Sequence, residues 1–519
     1  MKKRTFPLFL ITFIFLACNK MDTKRSITST NALGKAINAK GNIMTMDCGP
    51  TPTVNVDAFS SVNKVADAVL SPATGGTDQQ NAQNNYERIQ WCLTKYKHVS
   101  LNSGIFPINN LLWMDGATMV SANGDWPMIK ATANTSNSMI AMVSNSRIGF
   151  VTLNANKQFM SDPNASVVEI LGSNNQIDNS YVECAESPLL MTDINDVDDS
   201  TRFWDMAGVY IQCGDNNVVM NNQIRYNGYG VIAKSSIVSA TNNVIKNNDM
   251  YYNRCDAVSL PGYAQVLNNI IRLNGWDCHN GGIGKPGVPG AGIYSEGNSY
   301  GALIQGNTIY DNNGHNIDMV KGCHFTILDN HVYDPGNKSF PLTDYGIAPD
   351  YGGAFCISLY SISNSTIEGN DVRNEGRPEN GVGNGFYGND PNHIFSANGS
   401  VAMSDLPFFG NSVIAFCLSQ SPGATALSIH NTIRNNIFIA TPNGIGYFSS
   451  RNTGFYGNQG WDSQSTNYYT LNNPFGSNVG SVRCGGNWYA ANGVDVNTDD
   501  YQHQPPGSSW TGSDNRNFY

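Results

Sequence analysis

Two carboxylates, Glu296 and Asp318, stand in short β-rich runs of a weakly charged chain: Gly292-Ile-Tyr-Ser-Glu296 and Asn316-Ile-Asp-Met-Val320. Side chains alternate faces along a strand, so Tyr294 and Glu296 share one face of the first run, and Asp318 and Val320 one face of the second. On neighbouring strands the two carboxyls would lie about 5–9 Å apart, spanning both separations used to hydrolyse a glycosidic bond. Repulsion between them raises one pKa and leaves an acid and a base at the same pH. His279, in Trp276-Asp-Cys-His279, is a further proton-transfer candidate. Gln212, Lys234, Tyr294, Lys321, Tyr360 and Trp276 are the candidate substrate contacts. A different chemistry is open to Lys234 with Arg202, Lys285 or Lys321. Cations that neutralise a carboxylate beside an acidic C–H are what β-elimination requires. Hydrolysis needs no cofactor, but calcium suits the run Asp193, Asp196, Asp198, Asp199, since hard oxygens are its ligands.

What must position these residues is a recurring phrase: Asn, any residue, Ile or Val, and often another Asn three residues on. It reads Asn222-Gln-Ile224…Asn227, Asn248-Asp-Met250…Asn253, Asn269-Ile-Ile271…Asn274, Asn307-Thr-Ile309…Asn312, Asn330-His-Val332 and Asn370-Asp-Val372. Its closest copies are 21 to 26 residues apart. A short strand precedes several copies, as in Gly208-Val-Tyr-Ile211, Gly230-Val-Ile-Ala233 and Gly292-Ile-Tyr-Ser295. Two or three short strands per unit of that length make one coil of a parallel β-helix, with Ile and Val stacked inside and Asn laddered at the turns. Alternation then points Tyr210 and Gln212, Ile232 and Lys234, Ala257 and Ser259, and Ser358 and Tyr360 outward. Insertions at about 187–206, 279–291, 337–352 and 376–424 interrupt the coils. All but the last fall clearly between the Asn phrase and the next first strand, so they project from one side and wall a groove over those strands. Trp204, Trp276, Tyr345 and Tyr351 in the insertions are sugar-stacking candidates.

With 13% charged residues, 40% hydrophobic residues and 52 glycines in 519, the composition excludes a disordered or coiled-coil protein. Met1-Lys-Lys-Arg4 followed by the apolar Phe6–Ala17 reads as an export signal, and Phe15-Leu-Ala-Cys18 as a lipoprotein processing site with Cys18 lipidated. The expected organisation is a signal over 1–18, a polar tether over 19–47, a β-helix over 48–460 and a C-terminal cap or tail over 461–519. Loss of Lys2, Lys3 and Arg4 takes the formal charge from −10 to −13, which disfavours nucleic acid as a partner. The membrane is met only through the lipid, and a monomer is expected. Ten further cysteines lack CxxC spacing, which argues against zinc. Several, including Cys184 and Cys213, read as reduced core residues, with disulfides as the alternative.

Residues 84–97 carry apolar side chains at helical spacing (Tyr86, Ile89, Cys92, Leu93, Tyr96), as a helix capping the open end of a solenoid would. Val99-Ser-Leu-Asn-Ser-Gly-Ile-Phe106, then Met119 to Ile129 with Gly124-Asp-Trp-Pro127, then Ser144 to Lys157 follow in order. This succession resembles the N-terminal section of the pectate-lyase and polygalacturonase superfamily, over roughly residues 55–460. The resemblance implies an all-β, single-stranded right-handed parallel β-helix with an N-terminal capping helix and loop insertions on one side. Gly314-His-Asn316 partly echoes the Gly-His-Gly of polygalacturonases, and Asp256 stands at a strand entry as their paired Asp does. Their Asn-Thr-Asp and Arg-Ile-Lys segments are absent, as are the Trp-Ile-Asp-His of pectate lyases and the Asp-Pro-His-Asp of mannuronan epimerases. The expectation is an exported, surface-anchored glycosidase that uses Glu296 and Asp318 on an anionic polysaccharide. A polysaccharide lyase and a noncatalytic glycan-binding solenoid are the alternatives.

Overall fold

The computed structural model describes residues 54–374 except 133–137, 157–165, 184–206, 234–241, 261–263, 276–289, 313 and 334–355. It also describes an Ala36–Ile37/Ile43–Met44 ladder, and beyond Asn374 strands and adjoining residues between Phe416 and Val496. Every coil visits three sheets in turn. One coil supplies Ala207–Ile211 to the first sheet, Val218–Met220 to the second and Gln223–Arg225 to the third. The second sheet has 14 strands and the other two 13 each. Pairing through these stacks is parallel and in register, as in Val209↔Val231, Val219↔Ile245 and Ile224↔Met250.

The Asn phrase earns its place chemically. Asn222, Asn248, Asn269, Asn307, Asn330 and Asn370 are at most 2% exposed. In each step the Oδ1 of one rung accepts from both the backbone N–H and the side-chain amide of the rung before. For Asn248 onto Asn269 these distances are 2.9 and 3.0 Å. The Asn248 amide also donates to the Val219 carbonyl at 2.9 Å, so a buried polar side chain meets its needs inside the protein. A second ladder, Asn227–Asn253–Asn274–Asn312, lines the turn from third to first sheet. The residue before each of its rungs takes a left-handed backbone, with φ of 57° at Tyr226 and Tyr252, 55° at Leu273 and 54° at Asp311. Between the ladders the third-sheet residues Ile224, Met250, Ile271, Ile309 and Val332 stack fully buried.

The Gly at each first-sheet entry has a steric cause. A methyl on Gly292 would sit 2.6 Å from the Asn316 carbonyl oxygen of the next coil, and one on Gly208 2.8 Å from that of Gly230. The backbones approach too closely there for any Cβ.

A helix, α1, runs Asp78–Lys95 over the first coil, starting six residues before the sequence expectation. Its start is set by a capping box that periodicity does not reveal: Thr77 accepts from the Gln80 backbone while the Gln80 side chain accepts from Thr77 N–H. Tyr86, Ile89, Cys92 and Leu93 face the core. Tyr96 instead lies past the helix end, 43% exposed, with its hydroxyl on the Val65 carbonyl. At the other end the parallel stacks finish at Gly446–Phe448, Thr453–Tyr456 and Gln459–Asp462, and strands from 479–496 pair antiparallel with all three. Among the described residues no helix is long and apolar enough to cross a membrane. Cys18 and its signal lie outside them.

Candidate functional site

Register decides which side chains share the outer face of the first sheet. Trp113 pairs with Ala141, Ala141 with Glu169, Glu169 with Tyr210 and Tyr210 with Ile232. The column continues through Ser259, Tyr294, Asp318 and Ser358. Neighbours along each strand point inward and are buried, such as Val209 and Ile211 around Tyr210, or Ile317 and Met319 around Asp318. Trp113, Glu169, Tyr210, Ile232, Ser259, Tyr294 and Asp318 are partly exposed, forming a ridge of mixed aromatic and acidic character.

At its centre Tyr294 and Asp318 face one another on adjacent coils. Glu296 pairs with Val320, so it stands one coil and two residues away from Asp318, a Cα separation of about 8 Å. Directly after Glu296 the register slips, between Glu296 and Ser299. Such irregularities re-aim the side chains beside them. The first-sheet strands are also longest here: Ile293–Tyr300, Ile317–Cys323 and Ile357–Ser363, against five residues in Ala207–Ile211 and Tyr229–Ala233. His315 precedes Asp318 in the same turn. Burial pushes its imidazole pKa below the ordinary value, while the negative charge of Asp318 pulls it partly back. A histidine held neutral, next to a carboxylate, can accept a proton at neutral pH.

Residues 285–460 match the family model of the right-handed β-helix region. The chain is a right-handed parallel β-helix. Among solved structures, the β-helix is similar to the Dettilon tailspike protein gp208, with 16% identity over 71% of this chain and 62% of the tailspike, and a TM-score of 0.44. It therefore spans less than two thirds of that tailspike's length. The A-module of Azotobacter vinelandii mannuronan C-5 epimerase AlgE6 gives 13% identity over 73% of this chain and 93% of the module, with a TM-score of 0.42. Pectate lyase Pel9A gives 13% identity over 53% and 70%, with a TM-score of 0.35. Comparison of the sequence with curated proteins returns no match.

Within the β-helix, Tyr294 and Asp318 are on the ridge, and Gln212 is exposed just past the end of its strand. Glu296, Lys321 and Tyr360 lie in first-sheet strands, with their side chains outside the described residues. Lys234, Trp276 and His279 lie outside them altogether, as do Arg202, Lys285, the Asp193–Asp199 run and the aromatic residues of the insertions. Ala257 is not on the ridge; it is buried in the turn, and Ser259 is the rung that pairs with Ile232. The turn before it is one residue longer: four residues lie between Asn253 and Val258, but three between Asn227 and its partner Val231. Asp256 is 5% exposed and accepts from the Ala291 N–H at 2.7 Å, which ties one coil to the next. That is a positioning contact below the ridge.

Cys213, expected as a reduced core residue, is disulfide-bonded, as is Cys255; Cys92, Cys323 and Cys356 are buried thiols. Cys213 sits in the turn beyond its strand, where a side chain can reach across coils. Among the described residues no cluster of His, Cys, Asp or Glu has the arrangement of a metal site. Trp113 and Glu169 are ridge residues that strand alternation around the Asn phrase does not reach. Their signal was present in Leu112-Trp-Met114 and Val168-Glu-Ile170, each a polar or aromatic residue flanked by core residues.

Proposed function

We propose that the protein cleaves a polysaccharide bound along the first-sheet ridge, with Asp318 and Glu296 as the acid/base pair of glycosidic hydrolysis. The observation that carries this reading is the register of Ile293–Tyr300 on Ile317–Cys323. It sets the backbone positions of two carboxylate residues diagonally across one coil step, with Asp318 paired to the aromatic Tyr294. Tyr294 packs against the sugar, and the carboxylates divide into acid and base because neighbouring charges repel. The third-to-first turns flank this ridge. The chain between third-sheet Ile270–Arg272 and first-sheet Ile293–Tyr300 runs through 273–292, and that between His331–Tyr333 and Ile357–Ser363 through 334–356. Lys234 and Lys321 are the residues whose charge suggests an anionic polymer, and that preference belongs to the same proposal.

One observation favours β-elimination as the second reading. His315 stands three residues before Asp318 at the entry to the same strand, with desolvation lowering its pKa, and elimination begins with a base that takes a proton from carbon. A panel of pectic, alginate and sulfated algal polysaccharides separates the two. Hydrolysis releases reducing ends without the ultraviolet absorbance of an unsaturated sugar, whereas elimination gives both. Wild-type protein that releases neither product contradicts the enzymatic reading. Retained binding in that case identifies a glycan-binding solenoid. The surface anchoring expected from Cys18 belongs to the same proposal. Incorporation of labelled fatty acid that is lost in Cys18→Ser tests it.

A further inference from the structure

The ridge extends well beyond the two carboxylates. Tyr210 is four coil steps from Asp318 and Trp113 seven, which is roughly 19 and 34 Å at about 4.8 Å per step. Trp113, Tyr210 and Tyr294 recur at intervals of three coils, about 14 Å. Rings that far apart cannot stack on one another. The tyrosines of the third sheet and of the turn just beyond it are different: Tyr226 and Tyr252, in the turn, lie 5.7 Å apart and 5° from parallel, and Tyr310 and Tyr333, in the strands, 4.8 Å and 4°. Those rings use their faces on each other and hold the sheet together. The ridge aromatics are spaced for a partner that touches them in succession, and an interval of this size is a few units of an extended sugar chain.

We propose that Trp113, Glu169 and Tyr210 form a distal subsite that takes an uncharged stretch of the polymer, an inference that rests on the ridge being a polysaccharide groove. The C–H face of a pyranose packs on an aromatic ring, and its hydroxyls donate to a carboxylate. Glu169 is the rung directly beside Tyr210, and its Oε2 accepts from the Ser138 hydroxyl at 3.2 Å, which fixes the carboxylate's direction. A uronate or sulfate at that rung would meet a like charge. The subsite thus selects hydroxyls over anions, whatever the cleavage site prefers.

Affinity electrophoresis of the full chain through gels containing galactomannan, xyloglucan, polygalacturonate or alginate tests this directly. The expected result is retardation of wild type by at least one neutral polymer. Trp113→Ala and Tyr210→Ala each weaken that binding about tenfold or more at unchanged melting temperature, and Trp113→Phe restores most of it. Glu169→Gln increases retardation by polygalacturonate. Wild type held by no gel, or only by the anionic ones, overturns the proposal, as does wild-type migration of both alanine variants. The cleavage reading fails separately. If Asp318→Asn keeps full turnover while Trp113→Ala loses binding, the distal subsite stands and the catalytic assignment falls. The converse removes the subsite alone.

Discussion

Asp318 and His315 form the part of the site whose electrostatics can be titrated. Burial lowers the His315 pKa and the Asp318 charge opposes that shift. In the unfolded chain the imidazole returns to about 6.5 and binds a proton that the folded protein resists. The contribution of this residue to stability is therefore complete above that value and declines as pH falls through it. Thermal melts from pH 8 to 5 are expected to show wild type losing stability below about pH 6.5 relative to His315→Gln. A constant difference across that range would show that His315 has the same pKa folded and unfolded. The desolvation of this histidine could not be read from Gly314-His-Asn316, because it depends on how neighbouring coils pack around the turn, whereas its charged neighbour Asp318 lies only three residues on.

Asparagine ladders hold the strands in phase from coil to coil. Asn269 accepts from Asn248 twice and donates to Asn307 and to the Ile245 carbonyl, all while 1% exposed. Asn269→Ala strands several buried partners and is expected to cost at least about 2 kcal/mol in urea denaturation. Its exposed neighbour Asn268, left-handed at φ 53°, should accept Gly within about 0.5 kcal/mol. Equal effects at the two positions would contradict the ladder. Gly292→Ala is expected to lower the melting temperature by several degrees, because its methyl meets the Asn316 carbonyl. These elements were largely legible in the sequence. A period-two strand and an Asn at fixed phase are local signals, repeated often enough to align by eye. Ala257 was less legible: the turn after Asn253 carries one residue more than the turn after Asn227, and the strand that follows is only Val258–Ser259, so Ala257 stays buried in the turn. Helix α1 began early for a similar reason, since Thr77 and Gln80 cap it without belonging to its apolar stripe.

For the whole molecule, the insertions share one phase. The chain segments 184–206, 273–292, 334–356 and 375–415 each connect a third-sheet strand to a first-sheet strand, including the last, whose phase was ambiguous in the sequence. Each of these connections leaves the third sheet and re-enters the first, the sheet that carries the ridge. We propose that the antiparallel strands between 479 and 496 close the far end as α1 closes the near one, which protects sheet edges that would otherwise recruit other chains. Truncation before Val479 is then expected to turn a monomer into higher assemblies on size-exclusion chromatography, and an unchanged monomer would argue against the cap. Cleavage is assigned to Glu296 and Asp318, one coil step and two residues apart in the first sheet. The most direct measurement is turnover by Asp318→Asn and Glu296→Gln on whichever polymer wild type cleaves. Each variant should keep the wild-type circular dichroism spectrum and lose at least about a hundredfold in rate, while turnover near wild type in either one would contradict the assignment.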